Sequence, residues 1–441
     1  MRVCKALMLG FLAVAGEAGE AARVVASTQA GWPQWRGPRR DGISDEKGLL
    51  QEWPEGGPKA LWSVRDLGKG WSSPIIANDT LYVTGDVGDD LVIFAFDLDG
   101  KPKWQAKNGR SWKGSYPGAR GSCTYDEGHL YHINAHNRIA CLDAASGKEL
   151  WAVDALQRFE GRNIPWAIAH HPLVDGSRVI ITPGGKKALM AALDKKTGET
   201  AWASEPLVFE RTVRPGGGEL AEPRREADAP GYASPLLFEL GGRRHLVSCS
   251  ARHVFGVDAD TGKLLWTAPM PTRYEVIANT PVLYKDCAFV TAPDFHGDQG
   301  GRLLRIVVEG DGVRAEELWR TDLDTCHGGL IALGDVFWGS WYRRYDGVGC
   351  IDALTGKTLR RTSELSMGSM VYADGRLYYL AQRGVMALLK PDPSDFRIVS
   401  QFAFPGGEGR RSDVWAHPVI LDGRLYLRHH ELLVCYDVKA R

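Results

Sequence analysis

Cysteine is scarce in this chain, 8 in 441 residues, and no two are spaced as Cys-x-x-Cys. That spacing excludes a dense disulfide scaffold and a c-type haem attachment site. Charge of one sign is also missing, because 54 basic residues balance 54 acidic ones and no basic tract stands out. A nucleic-acid binder would carry such a tract as its electrostatic footprint. No stretch approaches the roughly 18 apolar residues of a membrane-spanning helix. A Gly-x-Ser-x-Gly elbow and a phosphate-binding loop are absent too, so neither chemistry is announced by a motif.

Glycine and tryptophan are plentiful, at 52 and 15 residues. The first residues differ from the rest. Arg2 and Lys5 precede an apolar run over 6–15, and small residues follow, with Ala13-Val14-Ala15 or Thr28-Gln29-Ala30 as cleavage candidates. This order is that of a secretory signal peptide, the alternative being a disordered or core-docked N-terminus. The expected organisation is a signal peptide and linker over 1–30 and one domain over 31–441, secreted or periplasmic. Cys4 precedes the apolar run, which argues against a lipid anchor on it.

One phrase then recurs. Phe94-Ala95-Phe96-Asp97 is followed by Gly100 and Trp104, and Ala140-Cys141-Leu142-Asp143 by Gly147 and Trp151. Ala191-Ala192-Leu193-Asp194 leads to Gly198 and Trp202, and Phe255-Gly256-Val257-Asp258 to Gly262 and Trp266. In Gly349-Cys350-Ile351-Asp352 with Gly356, Arg360 takes the Trp position. Asp at such a turn accepts backbone N–H groups, Gly supplies positive φ, and Trp covers a neighbouring repeat. Tryptophans 62, 104, 151, 202, 266 and 319 recur every 42 to 64 residues, a period suited to four-stranded propeller blades.

Each unit opens with a hairpin, marked by turns such as Asn78-Asp79, Glu127-Gly128, Asp374-Gly375 and Asp422-Gly423. Eight hairpins predict an all-β, eight-bladed β-propeller; seven blades with a spare hairpin is the alternative. The last unit stops with three strands, and Lys59-Ala60-Leu61-Trp62-Ser63-Val64 offers the fourth, closing the ring and protecting two sheet edges. Cys141, Cys350 and Cys435 share a column with Ala95, Ala192 and Gly256, so they read as small core residues. Cys123, Cys249, Cys287 and Cys326 have no assigned role.

The run Asp-x-x-Thr-Gly-Lys-x-x-Trp at 258–266 resembles the PQQ-like repeat, shared by quinoprotein alcohol dehydrogenases and the BamB-like assembly propellers. The opening Trp32-Pro33-Gln34-Trp35-Arg36-Gly37-Pro38 is similar to the start of secreted "PQQ-binding-like" propeller proteins. The resemblance implies docked blades. In the enzymes it also implies PQQ between a Trp floor and a disulfide of adjacent cysteines, above calcium. This sequence has no adjacent Cys pair.

Two columns at the start of the innermost strands carry the site expectation. The first reads Trp71, Arg120, Ala169, Tyr232, Ala278, His327, Met367, Trp415. The second reads Ser73, Ser122, His171, Ser234, Thr280, Gly329, Ser369, His417. Hydroxyls in the second suit bonds between blades. The aromatics, Arg and His of the mixed first column, the two histidines that break the second, and Trp166 give a candidate ligand ring of Trp71, Arg120, Trp166, His171, Tyr232, His327, Trp415 and His417 at the channel mouth. The alternative is that they fill wedges between blades. Long connections over 205–229, 293–298 and 340–344 are expected on the same face. Asp294, His296 and Asp298 form a weak metal pattern, with no helical His-x-x-x-His or EF-hand spacing beside it, and no metal is assigned. His170-His171 and His429-His430 are expected to diverge, because neighbours on a strand face opposite ways.

These expectations lead to a noncatalytic scaffold that binds a protein, peptide or glycan through its loop-rich face, as a monomer. The alternative is a PQQ- and calcium-dependent dehydrogenase of an alcohol or sugar. No cofactor and no catalytic residue is assigned.

Overall fold

The computed structural model describes residues 21–293, 300–343, 345–405 and 413–441. Residues 1–20 of the expected signal peptide, Cys4 among them, the Asp294/His296/Asp298 pattern and Arg344 therefore lie outside the described residues. Eight antiparallel blades form the ring: 75–110, 124–154, 173–203, 236–269, 282–321, 331–362, 368–403, and a last blade from 419–437 and the strand Ala60–Val64; each has four strands, and the fourth gains a fifth from Arg23–Val24. That strand pairs with Leu432–Asp437, Trp62 opposite Cys435, so the ring closes as expected.

The recurring phrase explains how blades dock. Each turn Asp, for example Asp143, Asp194 and Asp352, accepts backbone N–H groups through Oδ1. Glycines 100, 147, 198, 262 and 356 all take positive φ, 69 to 80°. A Cβ there would strike the indole of the preceding blade: Trp62 at Gly100, Trp104 at Gly147, Trp151 at Gly198, Trp202 at Gly262, Trp319 at Gly356. Each of these indoles donates Nε1–H to a carbonyl of the next blade, as Trp104 does to Ala144 at 3.1 Å and Trp319 to Ala353 at 3.2 Å. The apolar rings are half-buried and their polar atoms satisfied in one contact.

The small column is set by the same tryptophans. Ala95, Cys141, Ala192, Gly256 and Cys435 each stand across the strand pair from Trp104, Trp151, Trp202, Trp266 and Trp62. A larger residue would displace the indole. Trp266 departs from the rule. It folds over Gly256 of its own blade, because the following blade carries Glu309-Gly310-Asp311-Gly312 in place of the docking turn. The described cysteines are all free.

The expected long loop over 205–229 is instead a hairpin, Val208–Val213 with Glu219–Ala227, standing outside the blades. Its Arg211 is turned inward and paired with Glu226 at 2.8 Å and Glu275 at 2.5 Å. No helix among the described residues is long and apolar enough to cross a membrane.

Candidate ligand-binding site at the channel mouth

The site begins with the segment before the ring. Arg23–Val24 pairs with Leu236–Leu240, and Trp32 bridges to Ile76. The chain then crosses beneath the channel to reach Tyr372 through Ile43 and Lys439 through Leu49. Positive φ at Arg36 (61°), Gly37 (84°) and Arg40 (55°) folds 34–42 into a tight knot at the axis. Two guanidiniums are wholly buried there. Arg36 donates to the carbonyls of Asp41 (2.7 Å) and Leu330, and Arg40 to those of Pro172 and Pro235 (3.3 Å). They satisfy the carbonyl ends of the inner strands, and burial lowers their pKa values to about 10 and about 9. Gly329, an exception in the hydroxyl column, is explained here, since a Cβ would collide with Arg36.

The knot lifts Trp35 into the channel. Its ring stacks on His171 at 4.1 Å and 6°, lies 4.4 Å from His417, and donates Nε1–H to Thr280 Oγ1 at 3.1 Å. Above it opens a cavity of about 430 Å³. Of the expected residues, Trp71, Arg120, Trp166, His171, Tyr232, His327 and Trp415 line this cavity. His417 does not, which corrects its placement. It sits under Trp35, donating Nε2–H to the His327 carbonyl at 2.8 Å and its backbone N–H to Ser73 Oγ at 2.7 Å. The hydroxyl column does bond between blades, as Ser122 Oγ does to Ser73 O at 2.8 Å and Ser369 Oγ to Trp415 O at 3.0 Å. Most of these residues lie just ahead of the regular inner strands, not within them.

The walls are aromatic. Trp71 and Trp415 stack at 5.3 Å and 27°, Tyr116 lies 5.3 Å from Trp415, and His327 4.7 Å from it. Across the cup, Trp166 packs near Tyr232 (6.4 Å) and edge-on to Tyr274 (6.3 Å). Trp35, Tyr116, Tyr274, Tyr342, Arg343 and Cys326 also line it, with the smaller Ala169, Ser234, Val276, Ala278 and Pro293 between them. Tyr342 and Arg343 belong to a connection expected on this face. Tyr116, Tyr274 and Cys326 carried no periodic signal, because connections between blades vary in length. Trp35 was visible only within its N-terminal motif.

The polar groups are largely committed. Arg120 donates to the carbonyls of Trp166 (2.8 Å), Gly118 (2.5 Å), Ser115 (3.1 Å) and Tyr116 (2.6 Å), fixing two connections, while its guanidinium carbon lies 5.2 Å from the Trp71 ring. Burial lowers its pKa to about 10, against the pull of Asp86. Arg343 lies over Tyr342 at 4.3 Å. Burial lowers His327 to about 4 and holds His171 far below its ordinary value, so both imidazoles are neutral at pH 7. Burial also pushes the Cys326 thiol up to about 12, which keeps it protonated. None of the described lining residues is a carboxylate.

That lining bears on PQQ and calcium. A planar quinone suits the aromatic walls. Calcium takes six to eight oxygen ligands, most of them carboxylate or amide, and the described lining supplies neither. The residues do not fit the metal, and no chemical step is derived through the group.

The two histidine pairs behave differently. His170 Nε2 accepts from Thr182 N at 3.4 Å while His171 Nδ1 bonds Ser234 Oγ at 2.8 Å, so this pair diverges. His429 and His430 converge, contrary to expectation. The strand Arg424–His429 ends between them, and φ 47° at His430 turns its ring to the same side. Both Nε2 atoms reach Asp413 Oδ1, at 3.3 and 3.0 Å.

Residues 109–362, more than half of the chain, match the family model described as outer membrane protein assembly factor BamB. A similar curated protein is the 1-butanol dehydrogenase (quinone) of Thauera butanivorans, 27% identical over 151 residues, 33% of this chain and 22% of that one. The quinohemoprotein alcohol dehydrogenase of Comamonas testosteroni is 26% identical over 253 residues, 46% of this chain and 35% of that one. The chain thus spans only about a fifth to a third of the curated relatives it matches. Among solved structures, BamB from Moraxella catarrhalis superposes with TM-score 0.56 at 16% identity, covering 87% of this chain and 98% of that one. The Comamonas testosteroni enzyme superposes at 0.61 with 12% identity, over 93% and 81%. A family match over most of the blades, on a ring shared with these structures, makes this chain a member of the BamB-like family of PQQ-repeat β-propellers.

Proposed function

We propose that this chain is a noncatalytic binding propeller that receives a partner protein, peptide or glycan in the aromatic cup at its channel mouth. One observation carries the reading: the described lining is aromatic and cationic, with neutral histidines, a protonated thiol and no carboxylate. Such a surface offers stacking area and fixed dipoles, and Trp, Tyr and Arg dominate binding hot spots. It offers no ionised base for chemistry on a bound substrate. The same proposal places the protein outside the cytoplasm, through a signal peptide at its N-terminus, and as a monomer.

The quinone-dehydrogenase reading is favoured by the named activities of the curated relatives and by the flat aromatic walls. Titration with PQQ and calcium, followed by absorbance and thermal shift, separates the two. The binding reading expects no saturation at micromolar PQQ. Saturable binding together with alcohol-dependent dye reduction would overturn it. In peptide and glycan array binding, Trp71→Ala and Trp415→Ala should each weaken capture at least about tenfold, the loss typical of a hot-spot aromatic.

A further inference from the structure

We infer that Asp413, His429 and His430 form a binding site for one divalent transition-metal ion of the zinc type. The inference is independent of what the cup binds. Two imidazole Nε2 atoms and one carboxylate oxygen, Asp413 Oδ1, lie 3.0 and 3.3 Å apart along the two His–Asp edges. The three donor atoms all fall within 4.8 Å of one another. In a tetrahedral zinc site with bonds of ~2.0–2.1 Å, neighbouring ligand atoms stand about 3.3 Å apart. The observed edges already have that length, so an ion enters with small side-chain movements.

The convergence has a backbone cause. Consecutive strand residues would send the two rings to opposite faces. Positive φ at His430 breaks the alternation and brings the ring centroids to 4.5 Å. Neutral imidazole nitrogen and carboxylate oxygen are ligands that zinc and its neighbours in the series accept, whereas calcium and magnesium prefer oxygen alone. The His429, His430 and Asp413 side chains are 14, 17 and 25% exposed, so the site is fixed by its surroundings yet open to solvent. Three protein ligands leave a fourth position for water.

The site lies behind the cup wall. The Asp413 carbonyl accepts the Trp71 Nε1–H at 3.0 Å, and His430 packs edge-on against the Trp71 ring at 5.3 Å. A bound ion would tie the lead into the last blade to the end of that blade's strand Arg424–His429, and so hold Trp71 against Trp415.

The test uses tag-free full-length protein stripped with chelator. Calorimetric titration with zinc should give one site per chain, of micromolar affinity or tighter. Cobalt in its place should give the visible d–d bands of a four- or five-coordinate ion. His429→Ala, Asp413→Ala and His430→Asn, the last chosen because Asn tolerates the left-handed conformation, should each weaken binding at least about tenfold. Metal-free melting of these variants should match the parent. Absence of saturable zinc binding would overturn the inference, and so would stoichiometric binding that survives all three substitutions.

Discussion

His132 illustrates how tightly single residues are specified between the blades. It is fully buried, its Nδ1 accepts from Asn108 Nδ2 at 2.8 Å, and its Nε2–H donates to Gly121 O at 3.2 Å. Only the neutral Nε2–H tautomer satisfies both bonds. Burial lowers its pKa to about 4, partly offset by the Gly121 carbonyl. The folded state thus refuses a proton that the unfolded chain takes up below pH 6.5. Stability from this group is full above pH 6.5 and falls as pH drops toward 4, by about 3 kcal/mol in total. His327, also lowered to about 4, adds in the same direction. Thermal melts should show a steep loss of Tm between pH 6.5 and 4.5, and His132→Gln should flatten that slope. At the cup base, Trp35→Ala removes the ring stacked on His171 and should cost roughly 3 kcal/mol, read by denaturant unfolding, while exposing His171 to solvent.

At the scale of the element, the docking phrase is where sequence and structure agree most closely. Turn, small residue and Trp recur at fixed spacing because one blade's indole must land on the next blade's glycine. Trp104→Ala removes both the ring over Gly147 and the bond to Ala144 and should cost about 3 kcal/mol. Gly256→Ala drives a methyl into the Trp266 indole and should cost about 1–3 kcal/mol by overpacking, without the positive-φ penalty that a change at Gly147 carries. Equal stability of Gly256→Ala and parent in urea would contradict the packing argument. The hairpin over 208–227 was not legible. Its outward residues are charged on both sides, so no alternation of apolar and polar positions marks it, and Pro215-Gly216-Gly217-Gly218 reads as an open loop. The convergence of His429 and His430 was hidden for a related reason. Strand alternation held up to His429 and failed at the next residue, where the turn conformation took over.

For the whole molecule, ring closure and channel filling are separate tasks performed by one N-terminal segment. A chain beginning at Lys59 keeps Ala60–Val64 in the last blade but loses Trp35, Arg36 and Arg40. It should stay folded, eluting in the same association state as the parent, with a lower Tm and an unfloored cup. A chain beginning at Asp66 also loses the closing strand and exposes the edge of Leu432–Asp437, so it should aggregate or melt without cooperativity. Size-exclusion chromatography and melting of the pair check this, and equal behaviour of the two would refute the closure argument. The sequence by itself determined the blades, their number and the split last blade, because those depend on local spacing repeated many times over. It also marked seven of the channel-mouth residues, six of them through the two columns at the start of the inner strands. Only the tertiary structure decided that Trp35 floors the cup, that His417 supports it from below, and that Asp413 meets two histidines. Those meetings join segments far apart in the chain, and no local period records a contact that occurs once.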